Sequence, residues 1–329
     1  MQRVETPELL DIKHHPTFQL MQERRAEGSK PWSRRDGFKL GMVVEGGCFR
    51  SSIADGFLVE LLEEGFRNTV DIVYGESVGS CNGASFISGQ SSQSIETYWG
   101  INNRLFVNPL RILTGRTIID TNFFITEAEK ICPFDFAAFQ DSGIKLKAVA
   151  SRVDKPDDPR EQYPLVVFSD FKDREDLVEA CMAGIQMPFF CGGPYPYKGM
   201  RLWDGGIVDK FPIQTAIDDG CTHVLAVLAT PYDYIPRDLG LVEGYLSARY
   251  LRRYNAELAD YYLRVRAKFR NTMQFLREKQ KTQAGFPFVA TLALPAGTKR
   301  LSTYEKRGQV LMSMVNQARS ITRQTLIDL

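Results

Sequence analysis

The chain has 329 residues, 43% of them hydrophobic and 25% charged, with a formal net charge of +1. That length can bury a large core as one large or two modest domains, and the near-zero charge excludes a global electrostatic case for nucleic acid or a strongly acidic partner. Six cysteines without a CxxC pair read as free thiols of a reducing compartment, and three histidines are too few for a His-rich metal site, so no metal is expected.

Residues 1–36 are polar and charged, contain no apolar segment of the secretory kind, and end in a basic stretch at 30–35. They read as an extension that wraps or frays. The chain has no run of about 18 apolar residues, so no membrane span is expected and the expected location is cytoplasmic. An apolar run at 38–44 predicts a buried strand, a Gly-rich turn follows, and residues 53–62 are apolar at helical spacing. Residues 70–74 predict a second strand, followed by a turn and a helix of small residues to about 87. Strand, helix, strand, helix is the pattern of an α/β sheet that is at least partly parallel, with helices on its faces. Further strands are predicted at 145–150, 165–168, 223–229 and 288–294. Helices are predicted at 176–187, along 245–281 as one or two long pieces, and from about 305 to 325. The expected organisation is a catalytic core over 37–240 and a mostly helical region, 241–329, packed on it.

Three turns carry candidate chemistry. Gly75-Glu76-Ser77-Val78-Gly79 fits G-x-S-x-G between a predicted strand and a helix. A nucleophilic serine on such a turn is exposed by a strained backbone that needs small neighbours such as Gly75 and Gly79, and the helix amino terminus favours developing negative charge. An ordinary β–α turn is the alternative. Gly46-Gly47-Cys48-Phe49-Arg50 also joins a strand to a helix, and its two glycines allow N–H groups to point outward, as an oxyanion hole requires. A phosphate cradle is disfavoured, because the P-loop Lys-Ser/Thr is absent and the glycine spacing does not fit G-x-G-x-x-G. Asp204-Gly205-Gly206 follows a Gly/Pro/aromatic-rich segment and can project a carboxylate, or can be a plain hairpin turn. A Ser-His-Asp enzyme needs a late histidine in a mobile loop; His223 alone has the right order, but it opens a buried strand and reads as structural.

Together these segments resemble the patatin-like phospholipase family, which combines a Gly-rich oxyanion turn with a downstream Arg or Lys, a G-x-S-x-G elbow, and an Asp-Gly-Gly/Ala motif. Residues 180–190 also resemble the family's helix-then-proline segment, and the likeness spans about residues 38–230. It implies a three-layer α/β/α patatin-like fold with a largely parallel central sheet and a helical C-terminal region. It implies a Ser77–Asp204 dyad, an oxyanion turn at Gly46, Gly47, Cys48 and Arg50, a lipid ester substrate and no cofactor. The family's turn usually has glycine where Cys48 and Ser51 stand; these departures bear on activity more than on fold. A catalytically weak lipid-binding protein and a Ser77–Asp204–His223 hydrolase of small esters are the competing readings. Between 245 and 281, ten Lys/Arg face three acids while apolar residues from Leu246 to Leu276 recur every three or four positions. A stripe packed on the sheet, with a basic face turned toward anionic lipid, is the expected arrangement, so peripheral contact with an anionic membrane surface is the second partner expected.

Overall fold

The computed structural model describes residues 14–102 and 105–326; the first part of the expected N-terminal extension, residues 1–13, lies outside the described residues. Five strands form a parallel block in the order β3 (Lys145–Arg152), β2 (Ile72–Glu76), β1 (Leu40–Val44), β7 (His223–Val227) and β8 (Phe288–Leu292). Strands β4 (Leu165–Phe168) and β6 (Met200–Asp204) pair antiparallel with β3, and β5 (Tyr195–Tyr197) pairs antiparallel with β6. Each of the four predicted strands between 145 and 294 is found within two residues of its expected bounds.

Buried residues alternate between the two faces, as a period of two dictates. Leu40, Met42, Val44, Leu225 and Val227 join one cluster with helices α1 (Pro16–Ala26), α2 (Ser52–Glu63), α3 (Val78–Ser88) and a C-terminal helix, Gly308–Leu326. Val43, Tyr74, Val224 and Ala226 join a second cluster with Phe211, Ile213 and the long helix Ala256–Thr282. Helices on both faces of a mostly parallel sheet make the three-layer α/β/α architecture.

The register around β3 positions the site. Strand β2 pairs with residues 145–149 of β3, whereas β6 pairs with 150–152. Strand β4 covers 148–151 and overlaps both, so it must occupy the opposite edge. Strands β2 and β6 therefore share one edge of β3 and meet end to end. Glu76 stands opposite Val149 and Asp204 opposite the next residue, Ala150. The residue after β2 is Ser77.

Two readings of the sequence need correction. The apolar stripe does not run the length of 245–281: the segment is two helices, Leu241–Leu251 and Ala256–Thr282, separated at Asn255, which caps the second. Val265, Phe269, Met273 and Leu276 are buried against the sheet, but Leu246 is 58% exposed. The basic face is also largely tied down, with Arg266 bonded to Glu243, Lys268 to Asp209 and Arg270 to Asp238. Within 14–36, helix α1 is docked on β7 and β8, and Arg24 is buried in a set of hydrogen bonds to Asp36, Asp71 and the carbonyls of Thr69 and Phe38. No helix of the described residues is long and apolar enough to cross a membrane. All six cysteines are free thiols.

Candidate active site

Ser77 sits between β2 and α3 with φ 53° and ψ −135°, a conformation that costs a non-glycine residue roughly 1–3 kcal/mol. The surroundings enforce it. A Cβ at Gly75 would lie 2.3 Å from Ser80 Cα, so the chain folds back on itself more tightly than any side chain permits. Ser80 closes the turn, its N–H donating to the Ser77 carbonyl and its Oγ to the Gly75 carbonyl. The amino terminus of α3 then begins at Val78, directly behind the hydroxyl.

The Gly-rich turn lies alongside. Gly47 has φ 136°, and Cys48 has φ 49°, a left-handed conformation at a residue with a side chain. Burial pushes the Cys48 thiol up to about 12, so it stays protonated at neutral pH. Ser51, by contrast, has φ −63° and needs no glycine; its Oγ donates to the Glu45 carbonyl, and Asn82 donates to its own carbonyl. Arg50 is buried and turns back over Gly47. It donates to Thr303 Oγ1 at 3.0 Å and to Glu45 Oε1 at 3.4 Å, leaving its Nε without a partner. Glu45 in turn accepts from the N–H and hydroxyl of Thr230. Arg50 therefore braces the turn against the segments after β7 and β8.

Asp204 ends β6 and starts the turn Gly205–Ile207. Its N–H donates to the Gln186 carbonyl, just past the helix Arg174–Ile185, and its own carbonyl accepts from Ser151 on β3. One carboxylate oxygen accepts from Gly206 N–H at 2.7 Å, and the other accepts from Ser77 Oγ at 2.6 Å. Gly206 is a close-approach position, where a Cβ would fall 2.4 Å from Glu76 Oε1. The hairpin turn of this region lies at Lys198 and Gly199, between β5 and β6, so Asp204-Gly205 is free for another task. A hydroxyl bonded this closely to a carboxylate is arranged for proton transfer.

Ser77, Asp204, Gly46, Gly47, Cys48 and Arg50 all line one cavity of about 590 Å³. Its walls are largely apolar, with Phe49, Phe106, Ile119, Phe124 and Met187 among them. That volume is in the range of small-ligand sites. A smaller cavity of about 110 Å³ shares Val78, Tyr98, Ile101 and Phe124 with it. Sequence reasoning misses Glu76, which lines the larger cavity beside Ser77; Val-Tyr-Gly-Glu reads as the end of a strand, and only the meeting of β2 with β6 sets it against Asp204.

His223 is elsewhere. It pairs with Leu40 at the start of the sheet, four residues below the level where Val44 stands, or roughly 13 Å along the strand. It packs among Phe38, Phe286 and Phe288. Burial, helped by the Arg24 charge, lowers its pKa to about 4. His15, the cap of α1, is likewise buried and lowered to about 4.

Comparison with curated proteins gives no match. The family model for patatin-like phospholipase matches residues 42–217, more than half of the chain, and the three turns fall inside that span. With the sheet, the serine elbow and the Asp-Gly-Gly turn in this order, the chain belongs to the patatin-like phospholipase family, a family of lipid acyl hydrolases.

Proposed function

We propose that the protein hydrolyses carboxylic esters of phospholipids or related lipids, with Ser77 as nucleophile and Asp204 as its base. The observation that carries this reading is the 2.6 Å hydrogen bond from Ser77 Oγ to Asp204 Oδ2 inside a largely apolar cavity. Asp204 takes the hydroxyl proton as Oγ bonds to the ester carbonyl carbon and the carbonyl electron pair moves to oxygen. The intermediate collapses, the alcohol leaves with the proton from Asp204, and an acyl-Ser77 ester remains. Water attacks that ester by the same steps in reverse roles and restores the free serine.

A carboxylate is a weak base for an alcohol, so charge stabilisation must be strong. The N–H groups of Gly47 and Cys48 are the donors we assign to the oxyanion, with Gly46 shaping the turn; each such donor is worth about 3 kcal/mol in related chemistry. Arg50 acts by holding the turn through Glu45 and Thr303, and the amino terminus of α3 adds its dipole. Hydrolysis of a short-chain chromogenic ester and of phospholipid vesicles by the purified protein tests the reading. Vesicle binding with neither ester cleaved would establish the lipid-binding alternative instead.

The left-handed backbone at Cys48 supports a second expectation. Cys48→Gly relieves a conformation that disfavours a side chain, so it should keep or raise turnover and raise stability by up to about 1 kcal/mol, read by ester hydrolysis and thermal melting. A fall of about tenfold or more in kcat on folded protein would give the thiol a positive role.

The second partner in our reading is a lipid surface, reached through the rim of the cavity. Phe106 and Ile119 line the cavity and are close in sequence to exposed Leu110, Ile112 and Leu113. Tyr234, Pro236 and Arg237 also line it and lead along the chain to exposed Leu241, Val242, Tyr245 and Leu246. Leu113 is 80% exposed and Leu241 94%. Apolar side chains in the same stretch of chain as the exposed arginines Arg237 and Arg249 suit an anionic bilayer. Replacing Leu110, Leu113, Leu241 and Val242 together by Ser should lower partition onto anionic vesicles by about tenfold or more, while soluble-ester hydrolysis is unchanged. Salt should weaken binding of the parent protein. Co-sedimentation unaffected by both changes would remove this surface from the reading.

A further inference from the structure

Glu76 is buried, 6% exposed, and its carboxyl group touches both halves of the site. Oε2 accepts the Gly46 N–H at 3.2 Å, and the carboxyl converges with that of Asp204 on Gly206, where a Cβ would stand 2.4 Å from Glu76 Oε1 and 3.0 Å from Asp204 Oδ1. Gly46 and Gly206 both lack the side chain that would collide with it: a Cβ would lie 2.6 Å from Oε2 at Gly46 and 2.4 Å from Oε1 at Gly206. The two turns close on this one group.

We propose that Glu76 is a positioning residue of the dyad, a neutral carboxylic acid that donates to Asp204 while accepting from Gly46, so that base and Gly-rich turn are held by a single side chain. The proposal rests on the Ser77–Asp204 reading. Two buried carboxyl groups in contact cannot both be ionised, so the pair holds one proton at rest. Asp204 already receives two donors, Ser77 Oγ–H and Gly206 N–H, and is the member that carries the charge. Glu76 receives one N–H and keeps the proton. Burial first, and then the Asp204 charge, push its pKa well above the usual carboxyl range; Lys210 opposes this and Glu45 adds to it. Glu45 is itself held by Arg50 and Thr230.

When Ser77 attacks, Asp204 gains its proton and the pair passes from one proton to two; release of the alcohol returns it to one. Throughout, the Glu76 O–H fixes the orientation of Asp204, as the buried Asp of a serine triad fixes its histidine. A dyad with no histidine thus has a third member, set one residue before the nucleophile.

The test compares Glu76→Gln with Glu76→Met. The Gln amide can donate to Asp204 and accept from Gly46, so kcat on a soluble ester should stay within about threefold of the parent. Met keeps the length without either bond, and kcat should fall by about tenfold or more with KM nearly unchanged. A thermal series reads the proton directly. The unfolded chain releases it near the ordinary value of 4.5, while the folded protein retains it. The parent therefore loses this contribution to stability as pH rises above that value, and Glu76→Gln, which has no such proton, lacks that part of the pH dependence. The melting-temperature advantage of Glu76→Gln should widen from about pH 5 to about pH 8. Folded Glu76→Met with parental kcat, Glu76→Gln as impaired as Glu76→Met, or a melting difference that is flat with pH would each overturn the proposal. If Glu76→Met does not fold, the pH series decides. Absence of ester hydrolysis by the parent protein would instead sink the Ser77–Asp204 reading, and the pH series would still report where the proton sits.

Discussion

Ser77→Ala and Asp204→Asn should each reduce kcat by about a thousandfold or more, and the double variant should be no worse than either alone, because the nucleophile and base of the proposed dyad would act as one unit. Both changes are close to isosteric. The amide of the Asp204→Asn variant retains an oxygen to accept from Gly206 N–H but cannot take the Ser77 proton, so the fold should survive while the chemistry stops. His223→Ala should keep most of its turnover per folded molecule. Its ring lies among Phe38, Phe286 and Phe288 at the far end of β7, and its cost should appear as stability. Ester hydrolysis normalised to folded protein by circular dichroism separates these cases. A folded but inactive His223→Ala would falsify the dyad in favour of a triad, and an active Asp204→Asn would remove Asp204 as the base.

The largest effect on folding should come from a residue far from the chemistry. The Arg24 guanidinium donates from all three nitrogens: Nε and Nη2 to Asp36, Nη1 to Asp71 and the Thr69 carbonyl, and Nη2 again to the Phe38 carbonyl. Burial works against its charge, but Asp36 and Asp71 outweigh it and hold the guanidinium more firmly protonated than usual. Arg24→Ala leaves Asp36 and two carbonyls without that donor, and should cost about 3–5 kcal/mol. The check is a shift in denaturant midpoint at unchanged slope. A loss below about 1 kcal/mol would place Arg24 with ordinary surface pairs. Turnover per folded molecule should not change, since the stitch lies at the starts of β1 and β2, the opposite end from Ser77.

What is legible in the sequence follows from how local each signal is. The elbow, the Gly-rich turn and the Asp-Gly-Gly turn are each set by neighbours within a few residues, and apolar runs mark the strands because both faces of the sheet are buried. Arg24 is invisible there because its partners lie up to 47 residues away and come from backbone carbonyls as much as from side chains. For the same reason Arg34 looks like an inert part of a basic stretch, whereas it bonds Asp71 and the carbonyls of Asn68 and Val70. The charge count along 245–281 overstates a free basic face, because Asp238, Glu243 and Asp209 that neutralise it stand outside the helix that carries the arginines and the lysine. Glu76 escapes notice because register on β3, not sequence, brings β6 against β2.

That shared edge of β3 has an evolutionary consequence. Ser77 and Asp204 are 127 positions apart, yet their spacing is set by two adjacent rungs, Val149 and Ala150. The stretch from 89 to 144 is a tether pinned at both ends, by α3 and by β3, and Tyr98, Phe106, Ile119 and Phe124, which shape the cavity, all belong to it. Lengthening such a tether is inexpensive, about 0.6 kcal/mol for each doubling. Insertions and deletions there can remodel the cavity wall while the Ser77–Asp204 spacing stays fixed, so the shape of the pocket can drift independently of the pair at its base.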